Sequence, residues 1–305
     1  MLAMCAISWG MPAYSIDHDG SASKDDGTVK KLKVLASIPP LALIAQEILG
    51  EYADVEVLIA GAASPHDYAL TIGQALSLQD ADVLLWVGPE FEQFLVDVTF
   101  PPVNLSIAAA ISSEGEHQET KGHAHHSEHA ERHHHDHGDS HLWLNDHYVE
   151  VYATAIAEKV VQLRPRAADN IQQSLAGFIS NYKKAIEENT ALLNNAIGSS
   201  KRSFIAHHDG YTQLLPRYHL EQNAALTRVP HERISAKRLA NIEKSLSGVS
   251  CLLAEADEAQ EAKRYARILG LPLVEMDILA SKQVFGSYAD FERSLGRALE
   301  QCFKQ

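Results

Sequence analysis

The chain is 305 residues long and carries 40 Asp and Glu against 26 Lys and Arg, a formal net charge of −14. Its 46% hydrophobic content is enough for a core, which excludes global disorder, and its acidity excludes nucleic acid and anionic membrane, which demand a basic surface. The 17 histidines, concentrated between residues 117 and 147, point to cations that accept imidazole.

Residues 1–15, MLAMCAISWGMPAYS, are uncharged and mostly apolar or small. Ala13-Tyr14-Ser15 fits a small-x-small cleavage site, so the segment reads as a secretory signal peptide whose basic start lies upstream. Residues 16–30 read as a flexible leader. KLKVLASIPPLALIAQEILG then reads as a strand, a Pro-Pro turn and a helix. VEVLIAGAASPHDYAL is a strand leaving through a turn, and DADVLLWVG is a strand closed by Gly88-Pro89. Strands alternating with helical segments predict an α/β lobe with a mainly parallel sheet over residues 31–145. No apolar run reaches the roughly 18–20 residues of a transmembrane helix, so no stable membrane insertion of the mature chain is expected.

Residues 112–140 form a histidine-rich insert with seven acidic and two basic residues and almost nothing apolar. Such a tract cannot bury a core and is expected to be mobile. His123, His125, His126, His129, His133, His134, His135 and His137, interspersed with Asp and Glu, predict weak, overlapping metal sites. A loop that must be ordered before it binds loses affinity, so the tract suits gathering or sensing of metal.

The helical region 146–198 follows. Asp146 to Leu163 is helical in pattern and Pro165 interrupts it. Residues 167–195 carry an apolar stripe of Leu175, Phe178, Ile179, Tyr182, Ile186 and Leu193 at i+3/i+4 spacing. A helix of that length spans roughly 40 Å and acts either as a strut between two lobes or as an ordinary core helix. Residues 199–305 repeat the α/β grammar. RSFIAHHDGY, GVSCLLAEA and LPLVEMD read as strands, and EAQEAKRYARILG and YADFERSLGRALEQCF as helices. There is no dinucleotide fingerprint, phosphate loop, HExxH or GxSxG.

Cys5 would leave with the signal segment. Cys251 and Cys302 remain, an even pair that in an exported protein fits a disulfide; two unrelated buried thiols are the alternative.

His66, His141, His208 and Asp277 each fall at the end of an expected strand or the start of a helix, about 70 residues apart. The spacing is too long for a zinc finger and suits a site assembled between lobes. Three neutral imidazoles with a carboxylate or water make a tetrahedral zinc site.

SPHDYAL, ADVLLWVGPEFEQFL, the His/Asp-rich insert, HLWL and FIAHHDGY together resemble the solute-binding proteins of ABC-type zinc uptake systems, from about Lys33 to Cys302. The resemblance implies two (β/α) lobes with mainly parallel sheets joined by one long rigid helix, and a metal cleft between them. It also implies a monomer in the periplasm that delivers Zn²⁺ to an ABC-type permease in the inner membrane. The Cys251/Cys302 pair sits where the zinc-specific branch has its disulfide.

By position the ligands are His66, His141 and His208, with His207 the alternative to His208. The family pattern of His followed directly by Asp favours His208-Asp209. Asp277 or a water would be the fourth ligand. VEMDILA departs from the family's Asp-Pro-Leu-Gly, which leaves the surroundings of Asp277 open. AEADEA lacks the proline after Glu255, and no role is assigned to Glu255. A histidine at the third position suits Zn²⁺, whereas manganese-binding relatives place a carboxylate there. Two other functions remain: a periplasmic metal buffer centred on the insert, and a metal-dependent hydrolase with Asp209 as base. Asp209 fits better as an orienting partner of a histidine, and no catalysis is expected.

Overall fold

The computed structural model describes residues 30–61, 64–98, 103–119, 138–197, 202–230 and 232–304. The expected signal segment 1–15, leader residues 16–29 and the tract histidines His123 to His137 lie outside the described residues. The secondary structure of the described residues lies within one compact unit, Lys31–Gln305.

The first sheet is built from β1 (Leu32–Ala36), β2 (Ala53–Val57), β3 (Val83–Trp86) and β4 (Val103–Ser106), with helices α1 (Pro39–Leu49), α2 (Ile72–Asp80) and α3 (Ile107–Glu119) between and after them. The strand order is β2-β1-β3-β4 and every pairing is parallel. The central strands β1 and β3 read as apolar runs because both of their faces are covered. Val34 and Leu85 face a core shared with Leu41 and Ile44 of α1, while Leu35 and Leu84 face a second core with Leu78 of α2.

Pro39 and Pro40 open α1 rather than forming a separate turn. In the first helical turn their missing N–H groups have no intrahelical acceptor to lose and their fixed φ already suits a helix. Residues 112–119 of the expected insert are helical. Three consecutive alanines, Ala108 to Ala110, favour helix, and α3 runs on to Glu119.

The chain then crosses through α4 (Asp146–Leu163) and α5 (Ala168–Ile197), broken at Arg164-Pro165. The second sheet contains β5 (Ser203–His208), β6 (Glu221–Thr227), β7 (Cys251–Glu255) and β8 (Leu273–Met276) in the order β6-β5-β7-β8, again all parallel. Helices α6 (Leu215–Tyr218), α7 (Ala236–Glu243), α8 (Ala259–Leu269) and α9 (Tyr288–Phe303) complete the second lobe. Sequence reading missed β4 and β6. Both are edge strands with partly exposed, half-polar sequences, VNLS and EQNAALT, so neither carries the apolar run of a central strand.

Helix α5, 30 residues and roughly 45 Å long, buries Ile171, Leu175, Phe178, Tyr182, Ala185, Asn189 and Leu193 along one stripe. Ile179 and Ile186 sit half-buried on its flank. Near its start, Asn170 Nδ2 donates to the Tyr52 hydroxyl of the first lobe at 2.6 Å. Near its end, Asn189 Nδ2 donates to the Glu292 carbonyl of α9 at 2.7 Å, and Arg293 pairs with Glu188 at 2.7 Å. The helix therefore fastens to both lobes, as a strut must.

Cys251 and Cys302 form a disulfide that ties the start of β7 to the end of α9 across 51 residues. Closing a loop of that length contributes about 4 kcal/mol in the chain-entropy model. Among the described residues no helix is long and apolar enough to cross a membrane.

Candidate metal centre

Parallel sheets gather their functional groups at the carboxyl ends of their strands, and both sheets do so here. His66 sits in the single 3-10 turn Pro65–Asp67 that follows β2. His208 is the last residue of β5, and Glu255 the last of the neighbouring β7. His141 immediately precedes the turn Leu142–Leu144, which leads into α4. The ligand atoms of His66, His141 and His208 all lie within 4.8 Å of one another, although the first and last are 142 residues apart in sequence.

Each ring is aimed. The Nδ1 of His141 lies 2.5 Å from Asp139 Oδ1, and the Nδ1 of His208 lies 2.7 Å from Glu258 Oε2. With Nδ1 engaged by a carboxylate, the outward nitrogen is Nε2, and the two Nε2 atoms are 3.5 Å apart. Donor atoms around a tetrahedral zinc with bonds near 2.0–2.1 Å lie roughly 3.3 Å apart. The third ring, His66, presents a buried Nε2 without a hydrogen-bond partner. Phe91 walls this space with its ring 4.7 Å from His66 and 5.3 Å from His141, both edge-on. Glu92, fully buried, holds the Phe91 loop by accepting from Val87 N, Gly88 N and the Ser37 hydroxyl.

The electrostatics of the three rings differ. Burial, with the imidazoles of His141 and His208 beside it, pushes the His66 pKa down to about 3, so His66 is a neutral donor. Burial also opposes charge on His208, but the carboxylates of Glu255 and Glu258 outweigh it and raise that pKa to about 10. Burial disfavours the Glu258 anion, yet contacts with His207 and His208 hold its carboxyl down at about 2. Asp139 is likewise kept below the usual carboxylate range, because its bonds to His141 overcome its burial.

Gly210 shows the cradle most directly. A Cβ built there would meet His208 Nε2 at 2.5 Å, His141 Cε1 at 2.9 Å and His141 Nε2 at 3.2 Å. The space in front of those nitrogens is open only because residue 210 has no side chain.

Three imidazoles converging on one point at the strand ends could hold a metal ion, and comparison with known proteins bears on which. Residues 34–302 match the family described as zinc-uptake complex component A, periplasmic. The chain belongs to this family. Among curated relatives, the high-affinity zinc uptake system protein ZnuA of Yersinia pestis is 29% identical over 292 residues, covering 89% of this chain and 91% of that protein. The zinc-binding protein AdcA of Streptococcus pyogenes is 25% identical over 255 residues, covering 79% of this chain. The chain spans about half the length of AdcA, 49% of it. The solved laminin-binding protein Lmb of Streptococcus agalactiae superposes with a TM-score of 0.71 at 18% identity, covering 90% of this chain and 100% of the other, a likeness of fold.

Within this zinc-uptake family member, the choice between His207 and His208 follows from the pleat of β5. Successive strand residues point to opposite faces. His208 faces His141, with ring centroids 5.3 Å apart, while His207 points the other way, against Tyr265 of α8 at 6.0 Å. His207 still touches the site indirectly, since its Nδ1 lies 3.1 Å from Glu258 Oε1, off the line of a hydrogen bond.

Asp277 is not brought to the three histidines. Its carboxylate accepts from Ser281 N and Ser281 Oγ at 2.9 Å each and from Lys282 N at 2.9 Å, closing its own loop after β8. Asp209 does not orient a histidine either; it accepts from Thr212 Oγ1 at 3.3 Å and Gln222 Nε2 at 2.8 Å. The orienting carboxylates are Asp139 and Glu258, both missed in the sequence. Asp139 looked like part of the acidic tract, and Glu258 is one of several acids in AEADEAQEA. The available signal for Asp139 was its position two residues before His141. Glu258 had no such signal, because it reaches His208 across a gap of 50 residues.

The segment that carries His141 is clamped by the second lobe. Gln213 donates to the Asp139 carbonyl (2.9 Å) and Arg217 to the Leu144 carbonyl (2.7 Å). Trp143 Nε1 donates to the Ile278 carbonyl (2.8 Å), and the Tyr288 hydroxyl donates to the Trp143 carbonyl (2.6 Å). Asn145 caps α4 by accepting from Tyr148 N. His141 is therefore tied to the lobe that carries His208, and His66 faces the pair from the first lobe.

Proposed function

We propose that the chain binds one Zn²⁺ through His66, His141 and His208 and presents it to an ABC-type permease for zinc import. The observation that carries this reading is the convergence of three buried imidazole nitrogens, two of them pre-aimed by carboxylates, on a space kept open by Gly210. Membership of the zinc-uptake family supports zinc as the cargo and a permease as the recipient. Imidazole donors suit Zn²⁺ better than Mn²⁺, which prefers oxygen. The same reading takes residues 1–15 as an export signal, the periplasm as the compartment, the mature chain as a monomer without catalytic activity, and the tract histidines as a secondary site that gathers or senses metal.

Calorimetry on the mature chain tests it. The wild type is expected to show one tight Zn²⁺ site per chain. His66→Ala, His141→Ala and His208→Ala are each expected to weaken it by more than the roughly 10–100-fold that follows loss of an orienting partner. Tight binding that survived all three changes would remove the assignment. Deleting residues 120–137, which leaves α3 and Asp139 in place, is expected to abolish only weak sites. Loss of the tight site on that deletion would favour the buffering function.

A further inference from the structure

Resting on the three-histidine reading above, we infer that Glu255 is the fourth metal donor, closing the site as three nitrogens and one oxygen. Three observations on different levels lead there. The first is register. In the parallel pairing of β5 with β7, Phe204 lies beside Cys251, Ile205 beside Leu252 and Ala206 beside Leu253. Carried on by two residues, the same register sets His208 beside Glu255, and neighbours in register point to the same face of a sheet. The sheet itself thus delivers a carboxylate next to the His208 ring.

The second is distance. Glu255 Oε1 lies 3.1 Å from His208 Nε2 and 3.6 Å from His141 Nε2, whose mutual separation is 3.5 Å. These are the two nitrogens left outward once Nδ1 is engaged. All three separations are near the roughly 3.3 Å between donors that share a tetrahedral zinc. The third is satisfaction. Glu255 Oε1 is buried, and beyond its contacts with the two imidazole Nε2 atoms it has no hydrogen-bond partner. A buried carboxylate oxygen whose neighbours are imidazole nitrogens is placed to share a cation with them. Asp277, the acid expected from sequence, already spends its oxygens on Ser281 and Lys282.

The assignment bears on what the site does. A zinc held by four protein groups has no open position for water or substrate, which is the arrangement of a holding site rather than a hydrolytic one. A bound metal takes its imidazole donors in their neutral form, so within the donor set one carboxylate offsets half the charge of a divalent ion.

The test uses the mature chain with Zn²⁺ and with Co²⁺ as a spectroscopic probe. Glu255→Gln is expected to weaken Zn²⁺ by more than roughly 100-fold and to shift the visible Co²⁺ bands, since an anionic carboxylate donor is replaced by a neutral amide. Asp277→Asn is expected to change neither. Native affinity in Glu255→Gln, weakened affinity with an unchanged Co²⁺ spectrum, or the loss appearing in Asp277→Asn would each overturn the assignment. If Glu255→Gln does not fold, Glu255→Asp, which keeps the charge but withdraws the oxygen by one methylene, carries the same readouts. The alanine variants of the histidines separate the two failures. If they lose tight binding while Glu255→Gln keeps it, only the fourth donor is wrong; if they also keep it, the three-histidine site itself is.

Discussion

Gly210→Ala is expected to abolish tight Zn²⁺ binding while leaving a folded protein, although residue 210 is no ligand. The backbone at Gly210 lies outside the left-handed region, so alanine is allowed there. The added methyl, however, would stand 2.5 Å from His208 Nε2 and 3.2 Å from His141 Nε2, in the space where both nitrogens point. The rings cannot both retreat. His208 is fixed by Glu258 behind it and His141 by Asp139. Overpacking of this kind costs about 1–3 kcal/mol of stability, which a disulfide-tied fold tolerates. The affinity loss is expected to match that of His208→Ala. Calorimetry for Zn²⁺ and thermal unfolding of the metal-free protein separate the two effects. An alanine variant that binds zinc normally would mean the metal does not sit between these nitrogens.

The second large effect concerns stability. Arg217 and Glu292 are both buried, with Arg217 Nη1 lying 3.4 Å from Glu292 Oε2. Around them, Arg217 donates to the Tyr182 hydroxyl at 2.6 Å and to the Leu144 carbonyl at 2.7 Å, the Tyr218 hydroxyl donates to Glu292, and Asn189 donates to the Tyr218 hydroxyl at 3.0 Å. This network joins α5, α6, α9 and the segment carrying His141. Glu292→Ala strands a guanidinium in the interior, which costs about 3–5 kcal/mol and lowers Tm by on the order of 5–10 °C. The double variant Arg217→Met with Glu292→Met is expected to be less destabilised than Glu292→Ala, because no unpaired charge remains. Denaturant unfolding of wild type, the single and the double variant measures this. A Glu292→Ala protein as stable as wild type would show that the ion pair contributes nothing beyond packing.

Much of the architecture was legible because burial writes itself into composition. VLASI, DVLLW, SFIAH and CLLAE are apolar without alternation, as strands covered on both faces must be, and the α5 stripe recurs every three or four residues along a helix that binds one side to two lobes. The edge strands β4 and β6 and the start of α1 were less visible. Edge strands need no continuous apolar run, and a proline pair serves a turn and a helix start equally well.

At the site the division is sharper. His66, His141 and His208 stood out from the chain by position and by resemblance. The nine-residue stretch AEADEAQEA around Glu255 and Glu258 offered acids of equal standing, and its partners lie tens of residues away. Coordination depends on where atoms converge, and convergence is a property of strand ends and turns brought together in space. The pleat of β5 separates His208 from His207, the β5–β7 register brings Glu255 forward, and a loop hydrogen-bonded to itself takes Asp277 away. The sequence alone thus established an acidic, histidine-rich α/β protein with His66, His141 and His208 as ligand candidates, His207 as the alternative to His208, and Asp277 or water as the fourth. Which carboxylates aim those ligands, and which one stands with them, was decided by distances of a few ångströms that no spacing along the chain encodes.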